Sequence, residues 1–332
     1  MEPNPQLVFE TITAHQRSAA LKAGVELGVF DALGDGPATS AQLAAKAGVP
    51  ERGMRILCDC LTIFGLISRA DGHYAHTPTS AVFLDSRSPA SMAPTIPFLM
   101  NDKILAASRG LTETIRRGQT VLDEPLAGEE VTEWVTFART MQPMMRGPAE
   151  FIADVVVRNG APSKVLDVAA SHGLFGFAVA RRAPQCEIVA LDFPKVLEVT
   201  QEHSRTLGIP ITPLPGSAFT ADLGSGYDAV LVTNLFHHFS VADCETLMRR
   251  FHAALRPGGR MVTFEFVPNE DRLTPAVPAQ FAMMMLGNTP SGDAYTMGDY
   301  AKMLDNTGFG PGELMDVPQS AGRLIVAARP VA

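Results

Sequence analysis

Two adjacent histidines, His237 and His238, follow an apolar segment that ends at Asn234. A neutral imidazole has an ordinary pKa of about 6.5, so it can take a proton from a phenol or enol hydroxyl at physiological pH. Successive side chains of an extended chain point to opposite sides, so we expect the two rings to face different atoms. The only later histidine, His252, lies in a predicted helix, and no metal site is expected. The pair predicts general-base chemistry at His237, and the alternative is a structural histidine that caps the next helix.

Further polar side chains fall at the ends of predicted strands, where an open parallel sheet binds its ligands. Asp167 ends the first strand and Asp192 the second, and Asn234 and Glu265 lie at the ends of two later strands. If the ligand is a nucleoside that carries an amino-acid group, we expect Asp167 to accept hydrogen bonds from its ammonium. We expect Asp192 to accept hydrogen bonds from its two ribose hydroxyls. Each of these side chains alone is more often a cap or turn residue, but their shared position favours a ligand site.

The turn after the first strand carries Ala169, Ala170 and Ser171, whereas a dinucleotide site needs the glycines of G-x-G-x-x-G there. Asp192 lies about 20 residues beyond the strand, the usual spacing of an acid that binds ribose. Gly173 opens the next helix and allows the backbone to approach a ligand closely. These features favour a nucleoside without phosphates over NAD, and S-adenosylmethionine is the candidate cofactor.

The adenine end of such a ligand is expected at the third strand. Gly216, Ser217, Ala218 and Phe219 follow that strand, where a polar group can meet the adenine amine and Phe219 can pack on the ring. Phe193, next to the ribose-binding acid, can cover an adenine face. The predicted cofactor site therefore runs along the carboxyl ends of three neighbouring strands.

Strand and helix patterns alternate from Phe151 to the end of the chain. The seven predicted strands are 164–169, 187–192, 211–214, 229–234, 261–267, 314–317 and 323–328. This alternation predicts an α/β fold with a doubly wound, Rossmann-like, mostly parallel seven-stranded sheet that helices cover on both faces. We expect this cofactor-binding domain to span residues 151–332.

The preceding part of the chain is predicted to be helical. Residues 1–90 carry helix patterns at 7–33, 40–48 and 50–67, and then a turn and strand at 72–78, as in an all-α winged-helix-like domain with a small wing. The third helix has no basic stripe, so a dimer-forming or pocket-closing role fits better than DNA binding. Residues 91–150 are linking helices whose Met and Phe side chains fill a core or form a pliable pocket wall.

Composition restricts the class of protein further. The chain has 332 residues, of which 46% are apolar and 19% charged, and its net charge of −8 argues against a general nucleic-acid or anionic-membrane partner. No segment approaches the roughly 18 apolar residues of a membrane span, and the first residues lack the pattern of a signal peptide. The four cysteines show no CxxC or zinc spacing, so we expect reduced thiols and a cytoplasmic location.

Several segments together resemble the class I methyltransferase pattern. They are Val165-Leu-Asp-Val168, Ala190-Leu-Asp-Phe-Pro194, Gly216-Ser-Ala-Phe219, the run from Tyr227 to Ser240, and Arg256-Pro-Gly-Gly-Arg260. More narrowly, they resemble the caffeate and hydroxyindole O-methyltransferase family, including its bacterial small-molecule members. The amino-terminal helices and wing resemble that family's dimerisation domain. The resemblance implies S-adenosylmethionine as cofactor, a small aromatic acceptor and a homodimer.

The same resemblance implies roles for individual residues. His237 would deprotonate the acceptor hydroxyl and Glu265 would orient its imidazole. Met284 and Asn288 would hold the acceptor, with His238 beside it. Phe137 and Met141 fall where pocket and cofactor contacts are expected.

Three departures from the family pattern keep alternatives open. The family's usual Asp-x-Gly-Gly-Gly-x-Gly is Asp167-Val-Ala-Ala-Ser-His-Gly173 in this chain. Ser217 replaces the acidic residue that the family has after the glycine equivalent to Gly216. At the position of a second pocket glutamate this chain has Ala294, with Asp293 beside it. The reduced catalytic set leaves open a family member that uses the cofactor without methylating, as a decarboxylase, hydroxylase or pericyclase. Methyl transfer to carbon or nitrogen is also open, and a ligand-sensing winged-helix regulator is the alternative outside enzymes.

Overall fold

The computed structural model describes residues 3–125 and 132–331. Its backbone contacts divide the chain into two compact units, Met1–Met100 and Asn101–Ala332. The finer division predicted at residues 90 and 150, with a separate set of linking helices, stays a prediction.

The first unit is helical with a small two-stranded sheet. Its elements are α1 (Pro5–Glu26), α2 (Val29–Leu33), α3 (Ser40–Ala47), α4 (Glu51–Ile63), β1 (Ile67–Ala70), β2 (His73–His76), α5 (Pro78–Phe83) and α6 (Ile96–Leu99). β1 and β2 pair antiparallel and form the expected wing. The single helix predicted for 7–33 is two helices, because Gly28 adopts a left-handed φ of 65° between them. The third helix ends at Ile63 rather than 67, and its last predicted residue begins β1 instead.

The second unit begins with helices and then alternates strands and helices. Its elements are α7 (Asp102–Arg109), α8 (Leu111–Arg117), α9 (Thr132–Thr140), α10 (Gln142–Val157), β3 (Lys164–Val168), α11 (Leu174–Arg182), β4 (Glu187–Asp192), α12 (Pro194–Leu207), β5 (Thr212–Pro215), β6 (Tyr227–Thr233), α13 (Val241–Ala254), β7 (Leu255–Glu265), α14 (Ala276–Asn288), α15 (Met297–Asn306), β8 (Glu313–Asp316) and β9 (Arg323–Ala328).

These strands form one seven-stranded sheet with the order β5-β4-β3-β6-β7-β9-β8. The first five pair in parallel, and β9 pairs antiparallel with both β7 and β8. Val165, Leu166 and Val230 are fully buried, as expected of central strands that helices cover on both faces. The doubly wound, mostly parallel sheet predicted from the sequence is confirmed.

The strand order reverses at β3, which lies between β4 and β6. In an open α/β sheet this switch opens a crevice beyond the carboxyl ends of the strands. β3 carries Asp167 near that end, β4 ends at Asp192, and β7 ends at Glu265. The topology alone therefore brings the predicted polar residues to one edge of the sheet.

Candidate active site

His237 lies in a single 3-10 turn, Phe236–His238, directly after β6. The expectation that His237 and His238 face opposite sides of an extended chain is wrong, because the turn bends the backbone. The centroids of their rings lie 4.2 Å apart. Both histidines therefore stand at the same end of the sheet.

Glu265 holds the imidazole of His237 in place. Its Oε1 accepts hydrogen bonds from the backbone N–H groups of Leu235 and Phe236, each at 2.8 Å. Its Oε2 lies 2.5 Å from Nδ1 of His237. A carboxylate only accepts hydrogen bonds, so Nδ1 carries the proton and Nε2 is left as the basic nitrogen. Both side chains are buried, which keeps water from competing for the pair.

His238 lies in an apolar environment. The indole of Trp134 meets its ring edge to face, with centroids 5.1 Å apart. Burial, and secondarily the adjacent His237, lower the pKa of His238 well below its usual value. His238 is therefore a neutral imidazole, and its Nδ1 is buried without a hydrogen-bond partner among the described residues.

Two phenylalanines that the sequence analysis did not single out line the other side of His237. Phe281 on α14 meets the imidazole edge to face at 4.8 Å between centroids, and Phe266 stacks on Phe281 at 4.1 Å. Phe266 directly follows Glu265, and Phe281 lies one helical turn before Met284, so spacing from these two residues could have found them. His237 thus has flat apolar rings beside it.

The predicted acceptor-binding residues of α14 lie in the same helix as Phe281. The amide nitrogen of Asn288 donates to the carbonyl of Met284 at 2.9 Å, which leaves the amide oxygen buried without a partner among the described residues. On α9, Phe137 stacks on the imidazole of His172 at 6.5 Å, and Met141 is buried at the start of α10.

The second pocket glutamate of the resembled family pattern, which this chain lacks, has no substitute beside His237. Asp293 lies 3.6 Å from the guanidinium of Arg272, and Ala294 is buried. The backbone here is tight, because a Cβ at Gly292 would overlap the carbonyl oxygen of His237. Glu265 is therefore the one carboxylate that contacts His237 among the described residues.

Asp167 and Asp192 occupy the neighbouring strand ends as buried carboxyls. Asp167 accepts one bond, from the backbone N–H of Gly176, and its Oδ1 has no partner among the described residues. Burial raises the pKa of Asp167 to about 7 and that of Asp192 to about 6. The two oxygens of Asp192 accept from the N–H groups of Ser171 and Phe193, at 2.8 and 2.7 Å. Each carboxyl keeps accepting capacity for a cationic or hydroxylic ligand.

The turn between β3 and α11 is wound in the left-handed region although most of its residues are not glycine. Ala169, Ser171 and Gly173 have φ values of 52°, 53° and 77°. The hydroxyl oxygen of Ser171, like Oδ1 of Asp167, is buried without a partner in the described part of the chain. Unpaired buried polar atoms at a turn that is hydrogen-bonded to Asp192 fit a polar ligand such as S-adenosylmethionine.

The segment after β5 forms a tight turn. Gly216 has a φ of 142° and donates its N–H to the carbonyl of Asp192 at 3.0 Å, which connects the ribose and adenine ends of the predicted site. The hydroxyl of Ser217 accepts from the N–H of Phe219, and the ring of Phe219 meets that of Phe239 edge to face at 5.0 Å.

Three other predicted cofactor residues border this region. Ala218 is held by Arg250, which donates to its carbonyl at 2.9 Å. Phe193 packs, partly buried, against a cluster that joins α9 and α12. Asn234 adopts a left-handed φ of 53° after β6, and its amide nitrogen lies 3.5 Å from Sδ of Met145.

Within residues 3–125 and 132–331, no group of three or more His, Cys, Asp or Glu side chains could hold a metal ion. Over the same residues, no helix is long and apolar enough to cross a membrane.

Comparison with known protein families gives two matches that together span most of the chain. A family model of the O-methyltransferase domain matches residues 137–310, and one of the O-methyltransferase dimerisation domain matches residues 9–86.

Individual proteins give the same result. The crystal structure of a putative O-methyltransferase from Nostoc punctiforme is 44% identical, with a TM-score of 0.95 over 98% of this chain and 100% of that one. The tetracenomycin polyketide synthesis 8-O-methyltransferase of Streptomyces glaucescens is 26% identical over 92% of this chain and 91% of its own length. Human N-acetylserotonin methyltransferase, solved in complex with S-adenosylmethionine, shares the fold at 22% identity, with a TM-score of 0.87 over 99% of each chain.

Proposed function

The chain belongs to the O-methyltransferase family, and on that premise we propose that it transfers a methyl group from S-adenosylmethionine to a hydroxyl of a small aromatic molecule. The observation that carries this proposal is the buried pair of His237 and Glu265 beyond the carboxyl ends of β6 and β7, beside the strand-order switch at β3. An imidazole oriented by a carboxylate at that position is what removal of a hydroxyl proton requires.

His237 is the proposed general base. Because Glu265 accepts from Nδ1, the lone pair of Nε2 is available for the proton of the acceptor hydroxyl. The same carboxylate stabilises the imidazolium that forms, and two backbone N–H groups that donate to its Oε1 hold it in position. Base catalysis of this kind contributes about 10²–10⁴ in rate, and holding the reacting atoms in line contributes further.

Asp192, Asp167 and the turn residues between their strands are the proposed cofactor-binding residues. When bound, S-adenosylmethionine supplies an electrophilic methyl group on a sulfonium. Asp192 would accept from the ribose hydroxyls, and the unpaired oxygen of Asp167 would accept from the ammonium. Gly216 to Phe219, with Phe193 and Asn234, would enclose the adenosine. The hydrogen bond from Gly216 to Asp192 supports this order along the sheet edge.

A flat aromatic acceptor fits the side chains beside the base. Phe281 and Trp134 present ring faces or edges to the two imidazoles, and such arrangements favour another aromatic ring. The amide oxygen of Asn288 is an acceptor without a partner among the described residues, which suits a polar substituent on that ring. Phe137, Met141, Met284 and His238 complete the proposed acceptor contacts.

The test of this function is transfer of a labelled methyl group from S-adenosylmethionine to a panel of phenols. We expect label in an O-methylated product with the native chain, and a loss of about 10²–10⁴ in kcat with His237→Ala. His15→Ala, which changes an exposed histidine in α1, is the matched control and keeps full activity. Unchanged turnover in His237→Ala would remove the base from the mechanism.

One observation favours a second candidate function. Asp293 is paired with Arg272 rather than with His237, so the base has a single carboxylate partner in the described residues. A family member with a reduced catalytic set could hold the cofactor without transferring its methyl group. Tight binding of S-adenosylhomocysteine with no label transfer to oxygen, nitrogen or carbon acceptors would favour this alternative.

The match to a dimerisation domain supports a homodimer. Leu7, Val8, Phe9 and Ile12 on α1 are each about 60–65% exposed, which is unusual for neighbouring large apolar side chains. We therefore propose that a second copy of the chain covers this part of α1. The four free thiols support a reducing, cytoplasmic location.

A further inference from the structure

We propose that the hydroxyl of Ser171 is a cofactor ligand at the ribose, in a position where the resembled family pattern has glycine. This inference rests on the proposed cofactor. It begins from the backbone of the turn, because both backbone groups of Ser171 are already used. The N–H donates to Oδ2 of Asp192 at 2.8 Å, and the carbonyl accepts from Oγ1 of Thr200 at 2.6 Å.

These two bonds hold Ser171 in the left-handed conformation that its side chain disfavours, with a φ of 53°. Thr200 is fully buried in α12, so its hydroxyl is a fixed anchor rather than a surface contact. One turn further along that helix, Nδ1 of His203 lies 3.0 Å from the carbonyl oxygen of His172. Side chains of α12 therefore bind two successive backbone carbonyls of the turn, those of Ser171 and His172, and we call this arrangement the clamp.

The clamp leaves one polar atom of Ser171 unused. Its Oγ is buried and has no hydrogen-bond partner in the described residues. The residue is next to Asp192 in space, through the bond from its own N–H. A carboxylate such as Asp192 only accepts, so it satisfies the protons of the ribose hydroxyls and leaves their oxygens in need of a donor. The hydroxyl of Ser171 is the donor at that location.

The experiment compares binding with folding. Ser171→Ala removes the hydroxyl and keeps the turn, and binding is measured by calorimetry with S-adenosylhomocysteine and with 5′-methylthioadenosine, which retains the ribose but lacks the amino-acid moiety. We expect about threefold to tenfold weaker binding of both ligands, as for loss of one hydrogen bond. The thermal midpoint of the ligand-free protein stays unchanged or rises, because an unpaired buried hydroxyl has been removed.

Ser204→Ala is the matched control, since its hydroxyl donates to the carbonyl of Ile209 from the same helix α12. That variant lowers the midpoint and leaves both affinities unchanged. Thr200→Val releases the clamp, so affinity and midpoint fall together, and Thr200→Ser restores both. If Ser171→Ala fails to fold, Ser171→Gly gives the same comparison with the left-handed conformation relieved.

Three outcomes would overturn the inference. Unchanged affinity in Ser171→Ala removes the hydroxyl from the site. Weaker binding of S-adenosylhomocysteine alone moves the contact from the ribose to the amino-acid moiety. Failure of the native chain to bind either ligand refutes the cofactor itself, and so separates failure of the proposed function from failure of the Ser171 contact.

Discussion

Cofactor binding by this chain should be linked to proton release near neutral pH. Burial raises the pKa of Asp167 from its ordinary 3.8 to about 7, and that of Asp192 to about 6. The nearby charge of Asp192 raises the pKa of Asp167 further. An ammonium beside Asp167 favours the ionised carboxylate, so the bound state holds fewer protons than the free state.

The size of the effect follows from the ionised fractions. About one tenth of Asp167 is ionised at pH 6 and about nine tenths at pH 8, which gives about tenfold weaker binding at pH 6. Half-ionised Asp192 at pH 6 contributes about another factor of two, so we expect the affinity for S-adenosylhomocysteine to fall about 20-fold between pH 8 and pH 6. Calorimetry in buffers of different ionisation enthalpy should measure about 1.4 protons released per ligand at pH 6, about 0.9 from Asp167 and about 0.5 from Asp192.

Asp167→Asn is the variant that isolates the larger contribution. It should bind more weakly at pH 8 and retain only the roughly twofold pH dependence of Asp192. An affinity of the native chain that is constant from pH 6 to pH 8, with no proton released, would refute the reasoning.

The same raised pKa fixes the sign of the stability change. The folded state binds the Asp167 proton more tightly than the unfolded state, so this contribution is full below pH 3.8 and is lost as pH rises through about 7. The difference between the pKa of Asp167 in the unfolded state and in the folded state corresponds to at most about 4 kcal/mol in the free energy of unfolding. Without ligand, Asp167→Asn should therefore unfold at a higher temperature than the native chain at pH 8, and this advantage should vanish near pH 4.

Three further predictions concern the base, the acceptor and the dimer. Glu265→Gln places an amide N–H against Nδ1 of His237 and so moves the imidazole proton to Nε2. We expect kcat to fall by about 10²–10⁴ and the affinity for S-adenosylhomocysteine to stay within about twofold. An unchanged kcat would contradict the tautomer assignment. Asn288→Ala removes an unpaired buried acceptor and should raise KM for the phenol about threefold to tenfold with kcat little changed, whereas an unaltered KM would place Asn288 outside the acceptor site. Replacing both Phe9 and Ile12 with Glu should convert a dimer into a monomer in light scattering, and a dimer that persists would show that α1 is not its interface.

Much of the sheet could be predicted from the sequence because its strands are continuous apolar runs separated by amphipathic helices. The strand from Glu187 to Asp192 and the strand from Arg323 to Ala328 have the predicted bounds. The start of the fifth strand differs from the prediction: the predicted strand is 261–267, whereas β7 runs from Leu255 to Glu265, because pairing with β6 extends it toward its amino end. Tertiary pairing, which local patterns do not contain, decided that boundary.

The site was predictable in its residue types and not in its geometry. Asp167, Asp192 and Glu265 stand at strand ends, as the alternating pattern required. The proximity of His237 to His238 was not predicted, because a 3-10 turn of only three residues, Phe236–His238, is too short to leave a periodic pattern in the sequence. The contact between His237 and Phe281 joins residues far apart in sequence, so only the packing of α14 reveals it.

Ala169 and Ser171 adopt the left-handed backbone conformation that glycine usually adopts in this turn. Left-handed backbone costs a residue with a side chain about 1 kcal/mol or more, so glycine is the usual choice. Here Asp192 and Thr200 bind the two backbone groups of Ser171 and offset that cost. A missing glycine motif therefore does not argue for a lost cofactor site when neighbouring side chains impose the same φ. It indicates instead that the turn is rigid before the ligand arrives, and that rigidity reduces the entropy lost on binding.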